Sequence, residues 1–205
     1  MSVVNAEALL AIMRERRSIR RYTSRAVPRA VLERLLEAAR WAPSAHNRQP
    51  WRFAVVTSAE RRAALAHAMG ERFRADLLAE GLAEDAIEAQ LMRSYARLSE
   101  APALIVFFLS TTDMDTHTNA QRQQGEHLMA VQSVALAVQN LLLAAHAEGL
   151  GACWVCAPLF VPQEVQRALD VPQEWVAQGL VTLGYPSERP TRARDPIEAK
   201  TRWYT

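Results

Sequence analysis

From Met13 to Arg25 the chain reads MRERRSIRRYTSR, with six arginines in thirteen residues. Guanidinium forks take the oxygens of a phosphate monoester two at a time, and a hydroxyl adds one more hydrogen bond. Arg16, Arg17, Ser18 and Arg20, at i, i+1, i+2 and i+4, could therefore surround one end of a phosphorylated ligand. Two other readings compete. One is a solvated basic turn. The other is a nucleic-acid arm, which is expected to be longer, richer in lysine and aromatic residues, and disordered. This cluster lies between two helical patterns that hold it in place.

Other reactive residue types form weaker patterns. Cys153 and Cys156 make a CxxC pair with no second pair to complete a zinc site. A redox dithiol usually sits at a helix N-terminus. Here the surroundings are apolar, and extended geometry points the two thiols to opposite faces, which favours packed thiols. The five histidines show no metal-ligand spacing, so no metal is expected. His46 stands out only because it lies in the loop PSAHNRQPW. Gly149-Leu150-Gly151 is not a dinucleotide fingerprint, and no serine-nucleophile motif occurs. An enzyme with an anion site but no acid, base or nucleophile of its own takes its chemistry from a cofactor.

The elements that must position these residues follow from periodicity. Asn5 caps a first helix with Leu9, Ile12 and Met13 on one face. A second helix starts at Pro28 and runs to Pro43. Trp51 to Thr57 alternates as a strand, and Thr57 with Glu60 has capping-box spacing for the next helix. Residues 61–98 read as a charged helical excursion with breaks near Gly70 and Gly81. Ala103 to Leu109, ALIVFFL, is a buried strand, and Ser110 to Gln124 is a loop. Leu128, Val131, Ala135, Val138 and Leu142 mark a central helix that Gly149 ends. GACWVCA is a short strand or extended turn, Pro162 to Leu169 a short helix, and Gly179 to Tyr185 a strand. The arm at 186–205 is too polar to fold on itself, so it is expected to lie along something else. This order is not a strict βαβ alternation, which favours α+β.

Composition bounds the class. The 205 residues are 50% hydrophobic and 22% charged, enough for one domain spanning 1–205 with a sizeable core. A net charge of +2 gives no broad field for nucleic acid. No apolar run reads as a membrane span, the start does not read as a signal peptide, and two cysteines are no disulfide framework. The expected compartment is the cytoplasm, with no nucleic-acid or membrane partner.

Three segments together resemble the FMN-dependent nitroreductase family: RRSIRRY (Arg16 to Tyr22), APSAHNRQPWRF (Ala42 to Phe53) and QNLLLAAHAEGLGACW (Gln139 to Trp154). A fourth, Lys200 to Arg202, matches a basic pair that family members place on the FMN phosphate. The resemblance covers essentially the whole chain. It implies a mostly antiparallel sheet wrapped by helices, in an intertwined homodimer with exchanged C-terminal arms. It implies that Arg16, Arg17, Ser18 and Arg20 hold the FMN phosphate and ribityl chain and reach the pyrimidine ring. Ser44 and Asn47 would touch the flavin from the other subunit. Backbone near Cys156 and Ala157 would lie at the ring edge, and Lys200, Arg202 and Arg194 would close on the phosphate. Arg14, Arg21 and Arg25 are left solvated. No side chain of the protein is assigned as a catalytic acid or base.

The implied activity is a two-electron oxidoreductase that takes electrons from NAD(P)H or a similar donor and passes them to an electron-poor acceptor. The stretch from Gly70 to Tyr95 is the part expected to select that acceptor. The runs Arg72 to Tyr95 and Gly151 to Trp175 resemble one branch in particular: the reductase domain fused to a glutamate-adding ligase in deazaflavin-coenzyme synthesis. Only the reductase part is matched, and that branch usually has glycine where Cys156 stands. The competing reading is a flavin- or deazaflavin-binding storage or sensor protein without turnover.

Overall fold

The structure, a computed structural model, describes residues 5–112 and 114–205. Its centre is strand β2 (Ala103–Ser110), in which all eight residues are buried. The reason is that β2 is covered on both faces. Ala103, Ile105, Phe107 and Leu109 point to a layer formed by helices α2 (Arg29–Arg40) and α5 (Ala120–Ala147). Leu104, Val106 and Phe108 point to the opposite layer. That layer holds α3 (Ala59–Ala79), α4 (Glu84–Ser99) and α6 (Pro162–Leu169). Each fully buried Leu, Ile, Val or Phe contributes roughly 1.5–3 kcal/mol, so β2 anchors both layers at once.

With β1 (Trp51–Val56), β3 (Gly151–Val155) and β4 (Trp175–Gly184), β2 forms a sheet of order β1-β2-β4-β3, every neighbour antiparallel. This is the α+β architecture expected of the chain. Strand β3 is at an edge. Its free side is covered by the arginine segment: Ser18 bridges Ala152 in parallel, and the Ile19 N–H donates to the Ala152 carbonyl at 3.0 Å. An edge strand left bare would expose unpaired backbone groups.

Several local readings shift. The cap of α3 is Ser58, whose side chain accepts from the Arg61 N–H at 3.3 Å, rather than Thr57. Gly70 does not break α3, because its bare Cα faces the Tyr95 ring of α4. The break comes at Gly81, whose φ of +78° suits glycine. Helix α5 starts at Ala120, capped by Asn119, inside the stretch read as loop. It is long and apolar enough to cross a membrane by composition, yet Val134, Ala137, Val138, Leu141 and Ala145 pack into the core beneath the sheet. Strand β4 begins at Trp175, four residues early, and shifts register against Phe107 and Phe108.

Helix α1 (Ala6–Glu15) is capped by Asn5 as expected but buries none of its residues, leaving Leu9, Leu10 and Met13 exposed. At the other end Tyr22 bridges Pro186, and the Ser187 N–H donates to the Arg21 carbonyl at 3.1 Å. Beyond this the arm is exposed, including Ile197, Trp203 and Tyr204.

Candidate active site

The arginine segment emerges from the C-terminus of α1, where the helix dipole favours cations. Arg17 uses that position. Its guanidinium donates to the carbonyls of Arg14 and, at 2.7 Å, Arg16. It therefore caps the helix, and the four residues proposed for one anion divide their work. Arg16 is half-buried and makes no hydrogen bond or ion pair through its side chain among the described residues. Burial, then the nearby charges of Arg194 and Arg17, pull its pKa below the usual arginine value. A desolvated cation beside two others, without an acceptor, is a site complementary to an anion.

Two cavities flank this segment. One, of about 450 Å³, includes Arg16, Arg17, Arg189 and the Gly149–Ala152 turn. The other, of about 620 Å³, includes Arg20 and the run from Cys153 to Ala157. Ser18, bridged to Ala152, lies beside Cys153, whose thiol pKa is pushed up chiefly by burial. The Arg20 guanidinium makes only a long contact, donating to the Ser18 carbonyl at 3.4 Å. The seam thus runs from a cationic end to an apolar end beside β3. After β3, Cys156 is exposed, and Ala157 opens a 3-10 turn whose first N–H has no partner within the turn. A monophosphate at Arg16 and a flat ring near Ala157 match this donor set, so the residues present fit FMN.

Glu188 joins the site without any signal in the sequence. One of its carboxylate oxygens accepts from the Arg20 N–H at 2.7 Å and the Arg21 N–H at 3.2 Å, fixing the backbone that carries the cluster. Nothing in the sequence pattern around Glu188 signals this, because its partners are 168 and 167 residues away. Gly151 is a second: a Cβ there would lie 2.6 Å from Ile19 Cγ2, so its absence lets the segment lie against β3.

Ser44 and Asn47 lie elsewhere within the chain. Ser44 Oγ accepts from the Gln49 N–H at 3.0 Å, and His46, Asn47 and Gln49 all have φ between 53° and 55°. The loop is tied to the first half of α5: the Ala45 N–H donates to Ser133 Oγ at 3.3 Å, and Arg48 pairs with Glu126 at 2.6 Å and with Asp115. Fourteen residues of helix separate Ser133 from Ala147, next to the Gly149–Ala152 turn, or about 20 Å at 1.5 Å per residue. One chain does not bring Ser44 and Asn47 to the arginine segment. On the arm, Lys200 pairs with Asp195 at 2.7 Å, Arg194 stands near Arg16, and Arg202 makes no hydrogen bond or ion pair among the described residues.

Comparison with known proteins agrees with this fold. The model of the nitroreductase family matches residues 13–185. A 5,6-dimethylbenzimidazole synthase of Rhodospirillum rubrum is 33% identical over 89% of this chain and 83% of its own length. An NADH dehydrogenase of Thermus thermophilus is 33% identical over 92% of each. A Desulfovibrio desulfuricans protein described as a nitroreductase, solved in complex with FMN, superposes with a TM-score of 0.75 at 28% identity over 99% of each chain. With a fold that superposes over 99% of the chain and a family model that spans most of its residues, this chain belongs to the nitroreductase family.

Proposed function

We propose that the chain is a homodimeric, FMN-dependent oxidoreductase that moves two electrons from NAD(P)H to an electron-poor acceptor. Nitro compounds, quinones and the dehydro precursor of a deazaflavin coenzyme are the acceptor classes that fit the resemblance. The observation that carries this reading is Arg16: a half-buried guanidinium beside two like charges and without an acceptor, at the head of a seam along β3. Family membership supports the same cofactor.

When bound, FMN supplies the two-electron chemistry. The protein's residues bind and orient. Arg16, with Arg194 and the arm residues Lys200 and Arg202, holds the phosphate. Ser18 and Arg20 follow the ribityl chain, and the Arg20 guanidinium supports negative charge at the pyrimidine edge. The N–H groups near Cys156 and Ala157 meet the other edge of the ring. Ser44 and Asn47 come from the second subunit, since about 20 Å of α5 separates them from the seam of their own chain.

Purified protein is expected to be yellow, and anaerobic mixing with NADH or NADPH is expected to bleach it within a turnover. A flavin that binds but is never reduced points to the storage or sensor role. Protein that stays colourless after incubation with FMN defeats the reading altogether. The shared site has its own test. Arg20→Ala and Asn47→Ala homodimers should both be impaired, while co-expressed mixed dimers regain one intact site. No recovery in the mixed dimers removes the subunit exchange.

A further inference from the structure

The larger cavity extends well past the flavin seam, to the hairpin of α3 and α4. Helix α4 turns Gln90, Arg93, Ser94 and Arg97 towards it, the i, i+3, i+4, i+7 stripe of one helix face. Opposite them α3 contributes Phe73 and Leu77, with Asp76 and Glu80 alongside. The arginines of this hairpin sort by direction. Arg72 pairs with Asp76 at 3.0 Å, and Arg74, away from the cavity, pairs with Glu84 and Glu88. Arg93 and Arg97, which line the cavity, have no hydrogen bond or ion pair among the described residues. Asp76 is held by Arg72, and Glu80 pairs with neither.

Isolated surface arginines are commonly just solvated. These two share a concave, partly apolar cavity with a third guanidinium, Arg20, and the charges of Arg97 and Arg20 converge on the same residue, Cys153. Three like charges around one hollow repel one another unless an anion joins them. Apolar walls with a few convergent polar groups are also the make-up of a small-molecule site.

We propose that the molecule entering this cavity carries a carboxylate or phosphate, which Arg93 and Arg97 receive while its ring rests against Phe73 and Leu77. This rests on the flavin reading for the position of the reacting ring, not for the anion contact. The anion has two possible sources, the acceptor or the phosphates of the nicotinamide donor.

The test uses flavin-loaded protein and two acceptors of similar size, 4-nitrobenzoate and 4-nitrobenzamide, with the double variant R93Q/R97Q. If the acceptor supplies the anion, KM for 4-nitrobenzoate rises about tenfold or more per lost charge-assisted contact. KM for 4-nitrobenzamide and for NADPH stays constant. Calorimetric titration of 4-nitrobenzoate into the oxidised protein shows the same loss without turnover. If the donor supplies it, KM for NADPH rises with either acceptor. Constant KM values for all three ligands, with normal flavin content and Tm, overturn the proposal. Protein that lacks flavin yet binds 4-nitrobenzoate through these arginines would defeat the functional reading and leave the anion site standing.

Discussion

Gly151→Ala tests whether the arginine segment is positioned by direct contact with β3. The added Cβ would sit 2.6 Å from Ile19 Cγ2, 2.7 Å from its Cβ and 3.0 Å from its Cγ1. Carbon atoms in contact prefer about 3.5–4.0 Å, so something must move by about 1 Å. Ile19 cannot easily turn away. It is 7% exposed, and its branched Cβ leaves few rotamers. Its N–H is bonded to the Ala152 carbonyl at 3.0 Å. The backbone therefore yields, and Ser18 and Arg20 move with it. Overpacking of this kind costs about 1–3 kcal/mol. For a chain of this size each kcal/mol lowers Tm by about 2–4 °C, so the expected loss is about 2–12 °C.

Thermal unfolding with and without FMN, together with FMN titration by flavin fluorescence, reads both consequences. Stability and FMN affinity should fall together. Ile19→Ala supplies the control, because it removes Cγ1 and Cγ2 but keeps the Cβ. In that background Gly151→Ala should cost less, with a coupling of at least about 0.5 kcal/mol. Strict additivity of the two changes, or a lowered Tm with untouched FMN affinity, refutes the reasoning.

Three further outcomes are expected. Arg16→Gln removes a half-buried cation beside Arg17 and Arg194, so the flavin-free protein should be no less stable, while the Tm gain on adding FMN shrinks; an unchanged gain removes Arg16 from the phosphate site. The Tyr22 hydroxyl oxygen lies 2.5 Å from the Ile19 carbonyl and 2.9 Å from that of Thr182, so Tyr22→Phe should cost about 1–2 kcal/mol. Burial raises the Tyr22 phenol above its unfolded value of about 10. Its stabilisation is therefore full below about pH 10, is lost as pH rises towards the folded value, and disappears in Tyr22→Phe. Iodoacetamide should label exposed Cys156 before buried Cys153, whose thiol pKa burial raises, and FMN should protect Cys156; labelling that ignores FMN removes Cys156 from the ring edge.

What was legible in the sequence was what depends on near neighbours. Asn5, Gly149 and the limits of α6 rest on local capping and periodicity, and the structure places them as read. Gly70 has the look of a helix breaker, but its reason is tertiary: it makes room for Tyr95 of the next helix. The start of α5 was hidden by the polar, exposed run of its first turn. The same division holds at the site. The residue types of the arginine cluster suit an anion, but they do not tell that Arg17 turns back to cap α1. The stripe on α4 has a legible spacing. Its facing towards β3 depends on the packing of α3 against α4, which no local pattern encodes.

The two halves of the larger cavity are held by different forces. The β3 side, where the flavin is proposed to lie, rests on backbone contacts: Ile19 on Ala152, Glu188 on the N–H groups of Arg20 and Arg21, and the β3–β4 ladder. The other side rests on a hairpin with its own small core of Leu77, Ile87 and Leu91. A change on the cavity face of α4 leaves both the ladder and that core intact. Substitutions at Gln90, Arg93, Ser94 and Arg97 should therefore alter which acceptors are used while flavin content stays constant. A charge reversal such as Arg97→Glu should invert the preference between 4-nitrobenzoate and a cationic nitroaromatic. Loss of flavin in that variant would show that the hairpin is part of the cofactor site itself.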